Sequence, residues 1–252
     1  MNKIRVIARI DVKNEFAIKG IHLEGLRKVG DPNDLALKYY HSGIDEIVFM
    51  DAVAAYYDRN SLSEIITAAC DNVFVPITVG GGIRTIEDIQ TALNSGADKV
   101  AINTKAIKNP EFISEAASIF GSQCIVASIE AKTVGESKWE AYIDNGREPT
   151  GIDVVEWAQE LERLGAGEIM LTSIDTEGTK KGFEKNLSKS VSSVVSIPVI
   201  ASGGAGNVGH VMDLMDESDV DAVAIASLLH YEIASVSEIK SEMVSSGVRV
   251  RE

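Results

Sequence analysis

The sequence predicts an α/β fold, a (β/α)₈ or TIM barrel built from two similar half-barrels. The first observation behind this prediction is an internal repeat, because the segment 75–82 (VPITVGGG) returns 122 residues later as 197–204 (IPVIASGG). The segments 43–47 and 98–102 return at offsets of 122 and 123 residues. This period far exceeds the ~20–50 residues of solenoid units, so each copy is half of one domain. The second observation is the length of 252 residues, close to the ~250 of one such barrel.

Eight short apolar runs are the strand candidates. Most are rich in Val, Ile and Ala and lack polar alternation, which is typical of parallel strands buried on both sides. They cover residues 3–11, 46–51, 74–79, 99–103, 124–130, 168–173, 197–202 and 222–227. Helical patterns fill the intervals between them. Without a linker or low-complexity segment, residues 1–252 are predicted to form a single barrel domain.

Two connections are longer than a barrel requires, and each follows the first strand of its half. They cover residues 12–30 and 131–150. The second contains an alternating strand pattern at 139–143, followed by the turn sequence Asp144-Asn145-Gly146. Because TIM barrels build active sites from the loops after their strands, these connections are expected to border the site.

Composition narrows the function classes. The formal charge of −14 argues against nucleic acid or an anionic membrane as a partner. The chain has no apolar run of the ~20 residues needed to span a bilayer and opens directly into a strand candidate, so a cytoplasmic protein is expected. The 2 cysteines and 4 histidines show no metal-ligand spacing, and we expect no metal or other cofactor.

Two glycine-rich strand ends are candidate phosphate sites. Backbone amides at such turns, together with those of a following helix start, can cradle a phosphate. The first predicted cradle comprises Gly81, Gly82, Asn103 and Thr104, and the second comprises Gly203, Gly204, Ala226 and Ser227. Glycines that merely make tight turns are the alternative. The symmetric duplication favours binding, and two cradles suggest a substrate phosphorylated at both ends.

Paired carboxylates at the same end are candidates for proton transfer. Asp11 ends the first strand and Glu130 the fifth, so the repeat places them across the barrel mouth from each other. That arrangement suits a general acid and a general base. Asp51, Asp175 and Glu177 add acidity to this rim. Acids that only cap helices or pair with lysines are the alternative, and the pair Asp11 and Glu130 favours catalysis.

Four charged residues fall at strand starts, at the opposite end of the barrel. They are Arg5, Glu46, Lys99 and Glu168. Two cations and two anions can close a ring there, and from these residues alone a structural salt-bridge plug is the preferred interpretation.

Ten segments match one family over essentially the whole chain. They are IDVK (10–13), IKG (18–20), GDP (30–32), TVGGGI (78–83), GADKV (96–100), INT (102–104), GAGEI (165–169), LTSID (171–175), GT (178–179) and IASGGAG (200–206). The chain thereby resembles the cyclase subunit of imidazole glycerol phosphate synthase, of histidine biosynthesis. In that family, ammonia from a glutaminase partner passes through the barrel and attacks a bisphosphorylated ribulosyl formimino-carboxamide nucleotide. The products are imidazole glycerol phosphate and an aminoimidazole carboxamide ribotide.

The resemblance implies a role for each candidate residue. Asp11 and Glu130 become the acid–base pair, and Lys19 lies on the loop after the first strand. The charged ring becomes an ammonia gate, which reverses the preference for a plug, and Asp98 beside it becomes a contact to the glutaminase in a heterodimer. The predicted substrate-binding residues are Lys19, Asp51, Gly81, Gly82, Asn103, Thr104, Asp175, Glu177, Gly178, Thr179, Gly203, Gly204, Ala226 and Ser227.

Several residues depart from the family pattern near the chemistry. Glu130 and Glu177 stand where the family has Asp, Ala8-Arg9 replaces Pro-Cys, and 52–55 is AVAA where hydroxyl residues are usual. By strand alternation Arg9 points into the barrel, where it requires an anion from Asp11, Glu130 or Glu177. An alternative function is therefore a paralogue that channels ammonia to another acceptor, such as a nucleotide sugar in surface-polysaccharide synthesis. A phosphate-binding scaffold for the glutaminase is a third, non-enzymatic alternative.

Overall fold

The structure, a computed structural model, describes residues 3–53 and 62–251. Within these residues, eight strands pair in parallel and close into a ring in the order β1-β4-β5-β6-β7-β10-β11-β12, with β12 returning to β1. The barrel strands are Arg5–Lys13 (β1), Glu46–Asp51 (β4), Ile77–Gly80 (β5), Lys99–Ile102 (β6), Ile125–Gly135 (β7), Glu168–Ser173 (β10), Val199–Ser202 (β11) and Ala222–Ile225 (β12). The predicted barrel is confirmed.

Helices cover the outside of the ring. In the described ranges they are Pro32–His41 (α1), Ser63–Cys70 (α2), Ile86–Asn94 (α3), Thr104–Lys108 (α4), Glu111–Phe120 (α5), Val154–Arg163 (α6), Lys185–Ser192 (α7), Val208–Glu217 (α8), Ser227–His230 (α9) and Val236–Ser245 (α10), with a 3₁₀ turn at Ser122–Cys124. No helix in this part of the chain is long and apolar enough to cross a membrane.

Each half of the barrel carries a β-hairpin on its first strand. Strands Phe16–Ile21 (β2) and Glu24–Gly30 (β3) extend from β1, and Lys138–Ile143 (β8) and Glu148–Asp153 (β9) extend from β7. The predicted strand at 139–143 is confirmed within β8. The connection at 12–30, predicted only as a long loop, is the hairpin β2–β3.

Some strand boundaries differ from the prediction for identifiable reasons. β1 and β7 run past Asp11 and Glu130 because their last residues pair antiparallel with the hairpin strands. β12 ends at Ile225, and the predicted strand residue Ser227 instead opens the short helix α9.

The two faces of each barrel strand meet different cores. On β1, Val6, Ala8 and Ile10 belong to the core between strands and helices, whereas Ile7 belongs to a second cluster inside the ring. The inner cluster comprises Ile7, Val48, Ala101, Val126, Met170, Ile200, Ala222 and Ala224. The inward positions of β1 are therefore 5, 7, 9 and 11, and three of these four residues are charged.

Carboxylates hold strand starts at the lower end of the barrel. Asp45, Asp98 and Asp221 accept hydrogen bonds from the backbone N–H groups of neighbouring strands, at 2.7, 2.8 and 3.1 Å. The partner of Asp98 is the N–H of Ile77. Asp98 thus has a structural role as well as its predicted contact to a partner.

Substitution of Gly204 tests how tightly the upper turns are built. Its φ is +107°, and an added Cβ would collide with the carbonyl oxygen of Gly182. Gly247 has a φ of +83° and open space at the same position. Urea unfolding should show a loss of about 1–2 kcal/mol for Gly247→Ala, from backbone strain alone. Gly204→Ala should lose at least about 3 kcal/mol because the collision adds to that strain; equal losses would contradict the packing described here.

Candidate active site

A cavity of about 410 Å³, named the large cavity of the carboxyl end, opens at that end of the barrel. The predicted catalytic pair lies in its wall, and its floor reaches the barrel interior. Its lining includes Arg9, Asp11, Met50, Asp51, Ala52, Gly81, Gly82, Ala101, Asn103, Thr104, Ser128 and Glu130. The structure therefore brings both predicted acids and the whole first cradle to one cavity. Ala54 and Ala55, which belong to the departure at 52–55, lie outside the described residues.

The two acids have different surroundings although both are buried. Asp11 accepts a hydrogen bond from Arg9 Nε at 2.8 Å and lies 3.4 Å from Lys19 Nζ. Glu130 accepts one from the backbone N–H of Gly146 at 2.7 Å. Asp11 thus has two cationic neighbours at close range, whereas Glu130 is held by the turn of the hairpin β8–β9.

These surroundings separate the pKa values of the pair. Burial alone would raise the pKa of Asp11, but the charges of Arg9 and Lys19 outweigh burial and hold it below its usual value. Burial raises the pKa of Glu130 to about 7, only partly opposed by Arg9 and the Gly146 hydrogen bond. Asp11 is therefore a fixed anion at neutral pH, and Glu130 can either accept or release a proton there.

Arg9 lies across the barrel interior. Besides Asp11, its Nη1 donates to Thr172 Oγ1 at 2.9 Å and to Ser202 Oγ at 3.3 Å. These partners come from β10 and β11, the third and second strands from β1 around the ring. The prediction that Arg9 points inward and takes an anion is confirmed, and that anion is Asp11.

The second cradle is nearly filled. Gly203, Gly204, Ala226 and Ser227 line a space of only about 10 Å³, together with Lys19 and Glu177. Lys19 Nζ forms a buried salt bridge with Glu177 Oε1. Burial, and the nearby charge of Arg9, lower the pKa of Lys19, while Asp11 opposes the shift. The two halves are thus in different states: one cradle is open and the other is occupied by a side-chain ion pair.

The hairpin β2–β3 holds this closed arrangement. His22 N–H donates to the Glu177 carbonyl at 2.8 Å, and its Nδ1 lies 2.9 Å from the Ile174 carbonyl. Asn145 Nδ2, on the other hairpin, donates to the Leu23 carbonyl at 3.2 Å. The two hairpins therefore meet at the barrel mouth, and the hairpin β2–β3 contributes Lys19 to the second cradle.

In the first cradle the polar side chains are already engaged. Asn103 Nδ2 donates to the Tyr142 carbonyl at 3.1 Å, and Thr104 Oγ1 accepts from the Asp144 N–H at 3.2 Å. The Asn103 amide has a second N–H, so the prediction that Asn103 and Thr104 belong to the cradle stays a prediction. Backbone amides around Gly81 and Gly82 are the groups available to an anion.

The remaining predicted site residues differ in position. Asp51 lies in the wall of the large cavity, where its Oδ1 accepts from the Val53 N–H at 2.9 Å. Gly178 borders the second cradle. Asp175 instead faces the hairpin at β7 and accepts from the Thr133 N–H at 2.8 Å. Asp175 and Thr179 do not line the described cavities at this end.

The four charged residues at the other end form a closed ring. Arg5 bonds Glu46 at 2.8 Å and also Glu168, while Lys99 bonds Glu46 at 3.0 Å and Glu168 at 2.9 Å. Each carboxylate is thus bridged by both cations. Although burial opposes the shift, Arg5 and Lys99 hold the pKa of Glu46 below its usual value. A cavity of about 530 Å³ lies against this ring at the barrel's lower face.

Sequence reasoning missed some polar side chains around the site. Ser128, two residues before Glu130 on the same strand face, lines the cavity floor, and strand alternation was the available signal. His230 was given no role, yet its Nδ1 lies 2.7 Å from Tyr39 Oη. Burial and the Lys19 charge lower the pKa of His230 to about 4, so it is neutral beside the site. In the described part of the chain, no cluster of three or more His, Cys, Asp or Glu side chains is arranged to hold a metal ion.

The raised pKa of Glu130 predicts a pH-dependent stability. A carboxyl whose pKa is higher in the folded protein stabilises the fold below pH ~4.5, and this contribution disappears as pH rises through ~7. Chemical denaturation should therefore show wild type losing up to about 3 kcal/mol relative to Glu130→Gln between pH 4.5 and 8. Glu136→Gln, at an exposed position, is the control and should track wild type. Parallel pH profiles for wild type and Glu130→Gln would contradict the assignment.

Comparison with known proteins shows the family of this chain. A family model described as "Histidine biosynthesis protein" matches residues 5–235. The imidazole glycerol phosphate synthase subunit HisF of Legionella pneumophila is 60% identical over 208 residues, which cover 82% of this chain and 98% of that protein. The subunit of the same name from Methanopyrus kandleri is 45% identical over 266 residues, covering 98% of each chain. The chain therefore belongs to the histidine biosynthesis protein family and, within it, to the HisF proteins.

Proposed function

We propose that this chain is the cyclase subunit of imidazole glycerol phosphate synthase. It combines ammonia with a bisphosphorylated ribulosyl formimino-carboxamide nucleotide to give imidazole glycerol phosphate, aminoimidazole carboxamide ribotide and water. The observation that carries the proposal is the pair Asp11 and Glu130, whose pKa values are driven apart inside one cavity above a bore closed by charged side chains. Such a pair supplies a fixed anion and a proton carrier at neutral pH.

The proton chemistry follows from those two environments. As the ammonia nitrogen bonds to the ribulosyl carbonyl carbon it becomes positively charged and must lose protons, while the carbonyl oxygen takes up protons and leaves as water. The same nitrogen then bonds to the formimino carbon, and the bond from that carbon to the aminoimidazole nitrogen breaks. Glu130, with a pKa of about 7, accepts a proton and later returns it to the departing amine. Asp11 remains a carboxylate and stabilises the positive charge that develops beside it.

Substrate binding is proposed to use both cradles. One phosphate lies on the backbone amides around Gly81 and Gly82, where the cavity is open. The other requires the second cradle, so the Lys19–Glu177 salt bridge must part first. A phosphate dianion can replace Glu177 as the partner of Lys19, since charge-assisted bonds to phosphate are among the strong ones.

The partner is proposed to be a glutaminase that docks over the ring formed by Arg5, Glu46, Lys99 and Glu168. The cavity of about 530 Å³ against this ring gives a released ammonia molecule a place to enter. Phe74, 75% exposed, offers apolar area just before β5, at the same end of the barrel. A biosynthetic enzyme acting with such a partner on a phosphorylated nucleotide is proposed to work in the cytoplasm.

Replacing the fixed anion tests the catalytic assignment. Purified Asp11→Asn should form imidazole glycerol phosphate from the nucleotide and ammonium salt about 10²–10⁴-fold more slowly than wild type. Asp213→Asn, on the exposed face of α8, is the matched control and should keep wild-type activity. Full activity in Asp11→Asn would remove Asp11 from the mechanism, and an inactive wild type would refute the function.

The predicted partner contact at Asp98 can be separated from its structural bond. Asp98→Asn removes the charge but keeps an oxygen to accept from the Ile77 N–H, whereas Asp98→Ala removes both. Asp98→Ala should cost about 1 kcal/mol of stability and Asp98→Asn much less. Both variants should lower product formation with glutamine, and neither should lower it with ammonium salt. A loss confined to Asp98→Ala would assign the residue to the strand alone.

A further inference from the structure

Between the ring and the large cavity, the polarity of the side chains inside the barrel differs from one side to the other. Immediately above the ring lies the apolar inner cluster. Above that cluster, the side of the bore next to β10 and β11 is occupied by the Arg9 guanidinium. The side along β4, β6 and β7 carries Met50, Ala101 and Ser128, which together with Arg9 line the floor of the large cavity.

Arg9 is fixed on its side of the bore. The side chain is only 3% exposed and is held by Asp11, Thr172 and Ser202. A molecule that moves from the ring toward the cavity along the inner face of β10–β12 would have to break these hydrogen bonds to pass Arg9. It would then arrive at the second cradle, where the free volume is about 10 Å³.

The side along β6 and β7 leads directly to Glu130, the proposed proton carrier. Ala101 is both a member of the apolar inner cluster and part of the cavity floor. Ser128 offers a hydroxyl that can hydrogen-bond ammonia, and Glu130 is two residues farther along the same face of β7. Among the described residues, Val48, Ala101 and Val126 of the inner cluster border this route between the ring and the cavity floor, and all three are apolar.

We propose that Arg9 steers ammonia within the barrel. Its side chain closes the half of the interior that faces β10–β12, so that ammonia emerges between Ala101 and Ser128, under the first cradle and beside Glu130. This inference rests on the proposed function. The apolar inner cluster that ammonia must cross also admits the neutral molecule more readily than ammonium, because an unpaired charge is costly there. The molecule therefore reaches Glu130 as the nucleophile rather than as its conjugate acid.

Matched substitutions in the complex with the glutaminase test the route. Ala101→Val narrows the open side, and Ala222→Val makes the same change in the inner cluster on β12, beneath the closed side. Product formation is measured with glutamine and with ammonium salt, which enters through the open cavity, and the two rates are expressed as a ratio. The glutamine-to-ammonium ratio should fall at least tenfold in Ala101→Val and stay within twofold of wild type in Ala222→Val.

A second pair of variants separates steering from mere packing. Adding Arg9→Ala to Ala101→Val opens the closed half and should restore the ratio to within threefold of wild type. Both rates should fall, because Asp11 loses one of its two cationic neighbours. If Ala101→Val does not fold, Ser128→Thr, which adds one methyl group on the same side, should lower the ratio at least threefold.

The outcomes distinguish this inference from the function beneath it. Equal ratios for Ala101→Val and Ala222→Val in an active enzyme, or no rescue by Arg9→Ala, would overturn the steering role alone. A wild-type complex that forms no imidazole glycerol phosphate from either nitrogen source would overturn the proposed function, and the steering role with it.

Discussion

Buried charge on the first strand governs the organisation of this barrel. β1 directs Arg5, Arg9 and Asp11 into the barrel interior, above and below the apolar inner cluster. Because an unpaired charge there is very costly, each must find a partner of opposite charge. Arg5 is neutralised within the lower ring, and Arg9 and Asp11 neutralise each other at the cavity floor. The ends of the bore are thus set by charge pairing and its middle by apolar packing.

The internal repeat gives the two halves of the barrel equivalent elements. Residues at corresponding positions differ, and they make different contacts. Both halves have a glycine turn, a short helix and a hairpin on the first strand. In the second half, Glu177 reaches the cradle and binds Lys19, whereas the first half leaves its cradle open to the large cavity. The same asymmetry appears in the acids, since Arg9 and Lys19 hold the pKa of Asp11 below its usual value, whereas burial raises the pKa of Glu130 to about 7. A symmetric scaffold thereby presents an asymmetric site.

Sequence reasoning predicted what depends on period and burial. The repeat and the continuous apolar runs gave the barrel, and strand alternation gave the inward direction of Arg9. Features set by contacts distant in sequence could not be predicted: the contact of His22 with Ile174, the engagement of Asn103 by Tyr142, and the outward bond of Asp175 to Thr133. The raised pKa of Glu130 could not be predicted either. It depends on the burial of that side chain and on the fact that Arg9 forms its ion pair with Asp11. The family resemblance implied a role for each residue, but it did not indicate the side-chain contacts that the residues make in this structure.

The central claim is that ammonia passing through this barrel is added to the histidine-pathway nucleotide. Complementation tests it most directly: the chain is expressed with its glutaminase in a histidine auxotroph that lacks the cyclase subunit. Growth without histidine is predicted for wild type and not for Asp11→Asn expressed at the same level. Failure of wild type to support growth, with folded protein present in the cells, would contradict the claim and direct attention to a different acceptor for the same ammonia.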